Sequence, residues 1–265
     1  MLVIEDISFS YGKKPVITHL STEIGKKEFF GIIGPNGSGK STLVKLIIGI
    51  LKASSGKILI DGTDIRRMPE NQLSKEISYL PSGFDIYFPY TVEEFLSMGR
   101  FPYTGRYGKL EHKDREIIEA TLVEFDIKNL RQRNLMELSE GEQQRVFLAQ
   151  VVIQETSWIL LDEPTSHLDI AHSYRIMDAL KKLTSRGITV ISVLHDLNLA
   201  SEYCTKILLL GGGNIISAGP PDDVITYSNI EQAYKTKVLV YKNPYSQKPH
   251  VFGIPSSLLK ESTRL

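Results

Sequence analysis

Residues 34–41 read Gly34-Pro35-Asn36-Gly37-Ser38-Gly39-Lys40-Ser41, which fills every required position of the pattern G-x-x-x-x-G-K-[ST]. The stretch follows a short apolar run, Phe29 to Ile33, and opens an amphipathic segment from about Lys40 to Leu51. There Leu43, Leu46, Ile47 and Ile50 recur at steps of three, one and three, which lines one face of a helix. Strand, glycine loop and helix in that order make a phosphate cradle. Glycines let backbone N–H groups converge on phosphate oxygens, and the helix N-terminus adds partial positive charge. Lys40 then reaches the β- and γ-phosphates of a nucleotide, and the Ser41 hydroxyl suits Mg²⁺.

A second element answers the first. Trp158-Ile159-Leu160-Leu161-Asp162-Glu163 is an apolar strand ending in two acids, and a strand end beside a phosphate loop is where Mg²⁺ needs a carboxylate. Asp162 takes the metal side. Glu163 is placed to polarise an attacking water, a general-base role worth about 10²–10⁴-fold in rate. Two acids at a strand end also commonly cap the next helix, a reading that the phosphate loop makes the minor one.

The rest of the chain is consistent with an α/β protein. Leu2 to Phe9, Lys57 to Ile60, Ile77 to Leu80, Ile188 to Leu194 and Lys206 to Leu210 read as strands. Tyr11-Gly12-Lys13-Lys14-Pro15 reads as a turn. From about residue 82 the texture turns helical, with segments Thr91 to Met98, Lys113 to Phe125 and Ser139 to Gln154, two of them opened by Ser/Thr-x-x-Glu. This looks like an inserted helical unit. Afterwards strands alternate with helices, Ile170 to Ser185 and a short one after Asp196, so the sheet is expected to be mainly parallel. Beyond about Pro220 the six basic residues Lys235, Lys237, Lys242, Lys248, Lys260 and Arg264 outnumber the four acids Asp222, Asp223, Glu231 and Glu261, and the segment reads as a solvated appendage.

Composition narrows the class. The 265 residues balance 31 Lys+Arg against 31 Asp+Glu, which argues against a surface built to track a nucleic-acid backbone. No apolar run approaches the ~18 residues of a membrane helix. The opening Met-Leu-Val-Ile-Glu-Asp carries acids where a secretory signal needs Lys or Arg, so a cytosolic location is expected. The single Cys204 agrees with a reducing compartment. His167 and His172 are off the i, i+4 spacing of a helical zinc site.

Leu138-Ser139-Glu140-Gly141-Glu142-Gln143-Gln144-Arg145 resembles the signature sequence of ATP-binding-cassette (ABC) ATPases, at a similar distance after the phosphate loop and before Asp162. Physically it is a helix N-terminus whose hydroxyl and N–H groups suit an anion, and it is equally a capping box. The resemblance implies that Ser139 and Gly141 address the γ-phosphate of ATP held by the opposite subunit. It further implies that Tyr11 stacks on adenine, that Ser166-His167-Leu168-Asp169 touches the partner subunit, and that His195 meets the γ-phosphate.

The implied nucleotide set is Tyr11, Gly34, Asn36, Gly37, Ser38, Gly39, Lys40, Ser41, Thr42, Ser139, Gly141 and Asp169. Lys40, Glu163 and His195 are the catalytic candidates, and Ser41, Asp162 and Ser82 the metal candidates. The implied fold is a P-loop NTPase: a RecA-like parallel-sheet core with an antiparallel β subdomain, plus an inserted helical subdomain. The expected division is an ABC ATPase domain over 1–225, in which 1–81 and 155–225 form the catalytic core and 82–154 the helical subdomain, followed by a C-terminal extension over 226–265.

Thr91-Val92-Glu93-Glu94, Gly99-Arg100-Phe101-Pro102-Tyr103 and Leu194-His195-Asp196-Leu197-Asn198-Leu199-Ala200 look like the ATPase subunits of iron-siderophore, haem or cobalamin importers. That implies a peripheral subunit on the cytoplasmic membrane face, using ATP and Mg²⁺. Its implied partners are a second copy of itself, a membrane permease and, through the permease, a substrate-binding receptor. The alternatives are a soluble non-transport ABC ATPase and a low-turnover nucleotide-gated subunit.

Nine aromatics fall between residues 79 and 107: Tyr79, Phe84, Tyr87, Phe88, Tyr90, Phe95, Phe101, Tyr103 and Tyr107. Such enrichment suits a docking surface, with Phe84, Tyr87, Phe88, Arg100, Phe101 and Tyr103 as its candidates, or else packing between lobes. Two positions depart from the family. Ser82 stands where a Gln usually contacts Mg²⁺ and the attacking water, and Glu140 replaces the first glycine of the signature pair.

Overall fold

The computed structural model describes residues 1–83, 88–104, 109–166, 168–255 and 257–258. The chain divides into two compact units, Met1–Ile65 with Ile191–Leu265, and Arg66–Val190. The first begins with β1 (Leu2–Tyr11), β2 (Lys14–Ile24), β3 (Phe29–Ile33), α1 (Lys40–Ile47), β4 (Ser55–Ile60) and β5 (Thr63–Asp64). The second holds α2 (Glu70–Glu76), β6 (Ile77–Leu80), α3 (Val92–Met98), α4 (His112–Glu124), α5 (Glu140–Val152), β7 (Trp158–Asp162) and α6 (Ile170–Ser185). The boundary back to the first falls inside β8 (Thr189–Val193). The first unit then continues with α7 (Leu197–Tyr203), β9 (Lys206–Gly211), β10 (Asn214–Gly219), α8 (Pro221–Val224), α9 (Tyr227–Tyr234), β11 (Val238–Lys242) and β12 (Pro249–Gly253).

Strand burial follows the sequence pattern. In β1 buried residues alternate with exposed or half-buried ones, and β1 sits in the antiparallel sheet ordered β2-β1-β4-β5. Every residue of β3 is buried, as a continuous apolar run requires of a strand covered on both faces. β3 pairs in parallel with β9, and β10 closes that edge antiparallel. In the second unit the fully buried β7 pairs in parallel with β6. A parallel core with an antiparallel sheet beside it is therefore present, as expected.

Helix α1 ends at Ile47, short of the expected Leu51. Gly49 turns the chain with φ 76°, and Ile50 is left exposed rather than on the apolar face. Both Ser/Thr-x-x-Glu signals are true capping boxes: Thr91 exchanges hydrogen bonds with Glu94 at the start of α3, and Ser139 with Glu142 at the start of α5.

The aromatic-rich segment separates into two populations. Arg100 is only 2% exposed, so it is no docking residue. Its Nε donates to Asp114 Oδ1 at 2.9 Å, and its Nη1 donates to the Ile153 carbonyl at 2.7 Å and to Glu155 Oε2 at 2.9 Å. Tyr103 lies with its ring 4.2 Å from the guanidinium and donates its hydroxyl to the Gln154 carbonyl at 2.7 Å. These two are internal packing. Phe88 and Phe101 are exposed, while the candidates Phe84 and Tyr87 lie outside the described residues, as does Tyr107.

The tail is not a solvated appendage. Val224, Ile225, Ile230, Ala233 and Val238 are buried, and α9 packs on β9 and β10. The β11–β12 hairpin grips α7: Asn198 Oδ1 accepts from the Val251 N–H at 2.8 Å, and His250 Nε2 lies 2.8 Å from Glu202 Oε1. Basic residues outnumber acids in the segment by two, but its buried aliphatic residues anchor it. Lys260, Glu261 and Arg264 lie outside the described residues.

Candidate nucleotide site

The candidate residues divide between the two units. In the first, Gly34, Gly37 and Gly39 all carry positive φ, 146°, 78° and 101°. At Gly34 a Cβ would stand 2.3 Å from the Leu210 carbonyl oxygen, so this position tolerates no side chain. The buried Lys40 donates from Nζ to the carbonyls of Gly34 (2.8 Å) and Pro35 (3.1 Å), which fixes a positive charge at the loop. Ser38 Oγ is buried without a hydrogen-bond partner, an orphaned polar atom in a loop otherwise organised to meet oxygen ligands. Asn36 and Gly37 are exposed at the loop tip, and Ser41 and Thr42 open the first turn of α1.

Two further candidates flank this unit's strands. Tyr11, at the end of β1, is exposed and meets Phe9 edge-on at 4.9 Å. His195 is exposed two residues past the end of β8, and the next residue, Asp196, caps α7 by accepting from the N–H groups of Asn198 and Leu199.

In the second unit, Asp162 ends β7 with 2% exposure, a carboxylate taken almost wholly out of water. Its field is felt at Tyr79, whose hydroxyl is pushed up to about 12 by burial first and by that charge second. Glu163 follows with φ 58°, the left-handed region that a non-glycine residue adopts only when its surroundings hold it there. Ser82, Glu140, Gln143, Gln144, Asp162, Glu163 and Ser166 line one cavity of about 300 Å³. The structure thus brings the atypical Ser82 and Glu140 to the same space as the strand-end acids.

Ser139 lies exposed at the α5 N-terminus, its hydroxyl committed to Glu142, and Glu142 is held below the usual carboxylate range by the Ser139 N–H first and its hydroxyl second. Asp169 caps α6 by accepting from the His172 N–H at 2.8 Å. His167 lies outside the described residues.

Sequence reading missed three neighbours of these groups. The Ser166 hydroxyl donates to Glu163 Oε2 at 3.1 Å, a link that the i, i+3 spacing within a turn made findable. Gln144 donates to the Pro164 carbonyl at 2.6 Å, tying α5 to the segment after the acids. Tyr234, far along the chain on α9, buries its hydroxyl without a hydrogen-bond partner, and burial pushes its pKa up to about 12 against a smaller opposite pull from the Gly34 backbone. No local signal marks that approach.

Residues 17–166 match the ABC transporter family. The chain belongs to that family. Its cassette is 38% identical to the petrobactin import ATP-binding protein YclP of Bacillus subtilis, over 88% of this chain and 92% of that one. It is 37% identical to the hemin import ATP-binding protein HmuV of Pseudomonas fluorescens, over 96% of this chain and all of that one. Against the ABC transporter ATP-binding protein YvrA of B. subtilis, 36% identical, the chain spans 56% of that protein's length.

Among solved structures, the cassette superposes with a TM-score of 0.86 and 27% identity on an inward-facing ABC transporter assigned to the metal-chelate type, covering 97% of this chain and 98% of that one. A cassette solved as a dimer in a post-hydrolysis state with ADP and Pi gives a TM-score of 0.72 at 27% identity, over 83% of this chain and 98% of that one. Among the described residues, no helix is long and apolar enough to cross a membrane.

Proposed function

We propose that this cassette is the ATP-hydrolysing subunit of an importer, binding two MgATP between two head-to-tail copies and driving a separate membrane permease. The observation that carries the import reading is similarity, over roughly nine-tenths of the chain or more, to proteins named for petrobactin and hemin import. An iron-siderophore, haem or cobalamin is the cargo class, and a substrate-binding receptor acts upstream of the permease. The subunit then lies peripherally on the cytoplasmic membrane face, with 1–225 as the cassette and 226–265 as its extension.

The residues present fit ATP and Mg²⁺. The orphaned Ser38 hydroxyl, the Lys40 ammonium and the glycine-loop N–H groups suit phosphate oxygens, with Tyr11 available to the base. The Ser41 hydroxyl and the Asp162 carboxylate are hard oxygen donors suited to Mg²⁺. Bound metal would neutralise charge on the phosphates. Glu163 takes the proton of the attacking water, Lys40 offsets charge on the transferring phosphoryl group, and His195 holds the γ-phosphate. Ser139, Gly141 and Asp169 act on the nucleotide of the other copy.

The test is Glu163→Gln. Nucleotide contacts survive this change while the water loses its base, so the variant is expected to accumulate as an ATP-bound dimer. Sizing with MgATP reads it, and a protein that stays monomeric with ATP demonstrably bound overturns the sandwich. Reconstitution with its permease and transport of a ferric siderophore, haem or cobalamin tests the cargo.

A further inference from the structure

Gly141, the second residue of α5, is not in the left-handed region, so its backbone conformation does not demand glycine. What favours it is a neighbour. A Cβ at Gly141 would stand 2.7 Å from His172 Nε2 and 2.8 Å from its Cδ2, so an alanine here would force the imidazole out of its place. The imidazole on α6 is itself held. Asp169 Oδ1 accepts from the His172 N–H at 2.8 Å and lies 3.0 Å from His172 Nδ1.

Asp169 is held below the usual carboxylate range, by the His172 N–H first and the ring second. An ionised carboxylate only accepts, so Nδ1 carries the proton and donates. Nε2 is then the atom presented to Gly141. Beside this contact a cavity of about 240 Å³, lined by Ser139, Gly141, Leu148, His172 and Ile176, separates parts of the two helices. The imidazole is thus a local strut between the start of α5 and the start of α6.

We propose that His172 is a positioning residue for ATP hydrolysis, setting the α5 N-terminus against Asp169 so that Gly141 and Asp169 meet the opposite nucleotide as one rigid edge. This rests on the nucleotide-sandwich reading above. An error of about 1 Å in such an edge costs on the order of 10²-fold in rate, while substrate bound by the other copy's own loop is held as before. The glycine is required here for the approach of the imidazole as well as for any approach of phosphate.

The experiment is a double-substitution cycle on the full chain: parent, Gly141→Ala, His172→Asn and the pair, with kcat and KM for MgATP and the thermal midpoint read for each. Asparagine keeps a donor near the Nδ1 position for Asp169 and removes the ring edge facing Gly141. Gly141→Ala is expected to lower kcat at least about fivefold more in the parent than in the His172→Asn background, where only the loss from the methyl's approach to phosphate remains, with KM within about twofold throughout. His172→Ala, which loses both contacts, is expected to lower kcat more than His172→Asn does.

Equal fold-losses from Gly141→Ala in both backgrounds overturn the proposal. If Gly141→Ala does not fold, recovery of the thermal midpoint and of turnover in the double variant supports the strut, and no recovery overturns it. A parent that neither hydrolyses ATP nor, as Glu163→Gln, dimerises with MgATP fails the sandwich reading and this proposal with it. A parent that turns over normally while the two substitutions act independently fails this proposal alone.

Discussion

The Ser166 hydroxyl donates a 3.1 Å hydrogen bond to Oε2 of Glu163, and the Ser166 N–H reaches the Glu163 carbonyl at 3.2 Å, so one residue holds both ends of the proposed general base. A carboxylate on a left-handed backbone position needs such restraint to aim its other oxygen. Ser166→Ala is expected to lower kcat about threefold to tenfold and to leave KM for ATP within about twofold, because binding contacts are untouched. Steady-state ATPase kinetics check it; an unchanged kcat means the side chain is aimed by other neighbours.

Arg100 and the exposed aromatics should behave oppositely. Arg100→Met leaves the buried Asp114 carboxylate without its guanidinium, which is expected to cost about 3–5 kcal/mol in chemical denaturation. Phe88→Ala and Phe101→Ala, on exposed side chains, are expected to change stability by no more than about 0.5 kcal/mol. If these aromatics anchor the permease, each weakens its binding by about 2 kcal/mol.

Asp114 also predicts an acid limb. Burial alone would raise its pKa, but the Glu111 N–H and the Arg100 guanidinium outweigh burial and hold it below the usual value. A depressed carboxylate contributes stability that is present above its unfolded pKa of about 3.9 and is lost as pH falls through the lower folded value. Denaturation midpoints between about pH 5 and 2 are expected to fall more steeply for the parent than for Asp114→Asn.

Ser82 shares a cavity with Asp162 and Glu163, yet its side chain is too short to span from metal to water to a partner helix as a glutamine does. Asp85, three residues along the chain and the side chain expected to fill that gap, lies outside the described residues. Slow basal hydrolysis is expected, and Ser82→Gln is expected to raise kcat, or its stimulation by the permease, by up to about tenfold, a barrier change of about 1.4 kcal/mol. Unchanged kcat and unchanged stimulation would remove this position from the chemistry.

Ile230, 1% exposed on α9, separates a folded tail from a solvated one. Ile230→Ala is expected to cost about 2–5 kcal/mol, as for any core aliphatic truncation. A cost below about 0.5 kcal/mol is what an exposed appendage would give.

The sequence by itself determined what is local. The strand, glycine loop and helix around residues 34–41 were legible because backbone geometry, helix dipole and side-chain reach are all set within a few residues. The same holds for the capping boxes at Thr91 and Ser139, whose partners sit three residues away. Family membership followed from the order of such stretches.

Tertiary structure alone decided what depends on distant partners. Arg100 looked like an exposed anchor because nothing near it announces Asp114, the Ile153 carbonyl or Glu155 as its destination. The tail looked solvated because net charge is additive along the chain, whereas burial of Ile225, Ile230 and Val238 depends on which surface they meet. The glycine at 141 was read as addressing the γ-phosphate of the opposite subunit, but a Cβ there would also meet an imidazole from another helix. Burial and close contact belong to pairs of residues brought together by folding, and no single stretch of sequence carries both members.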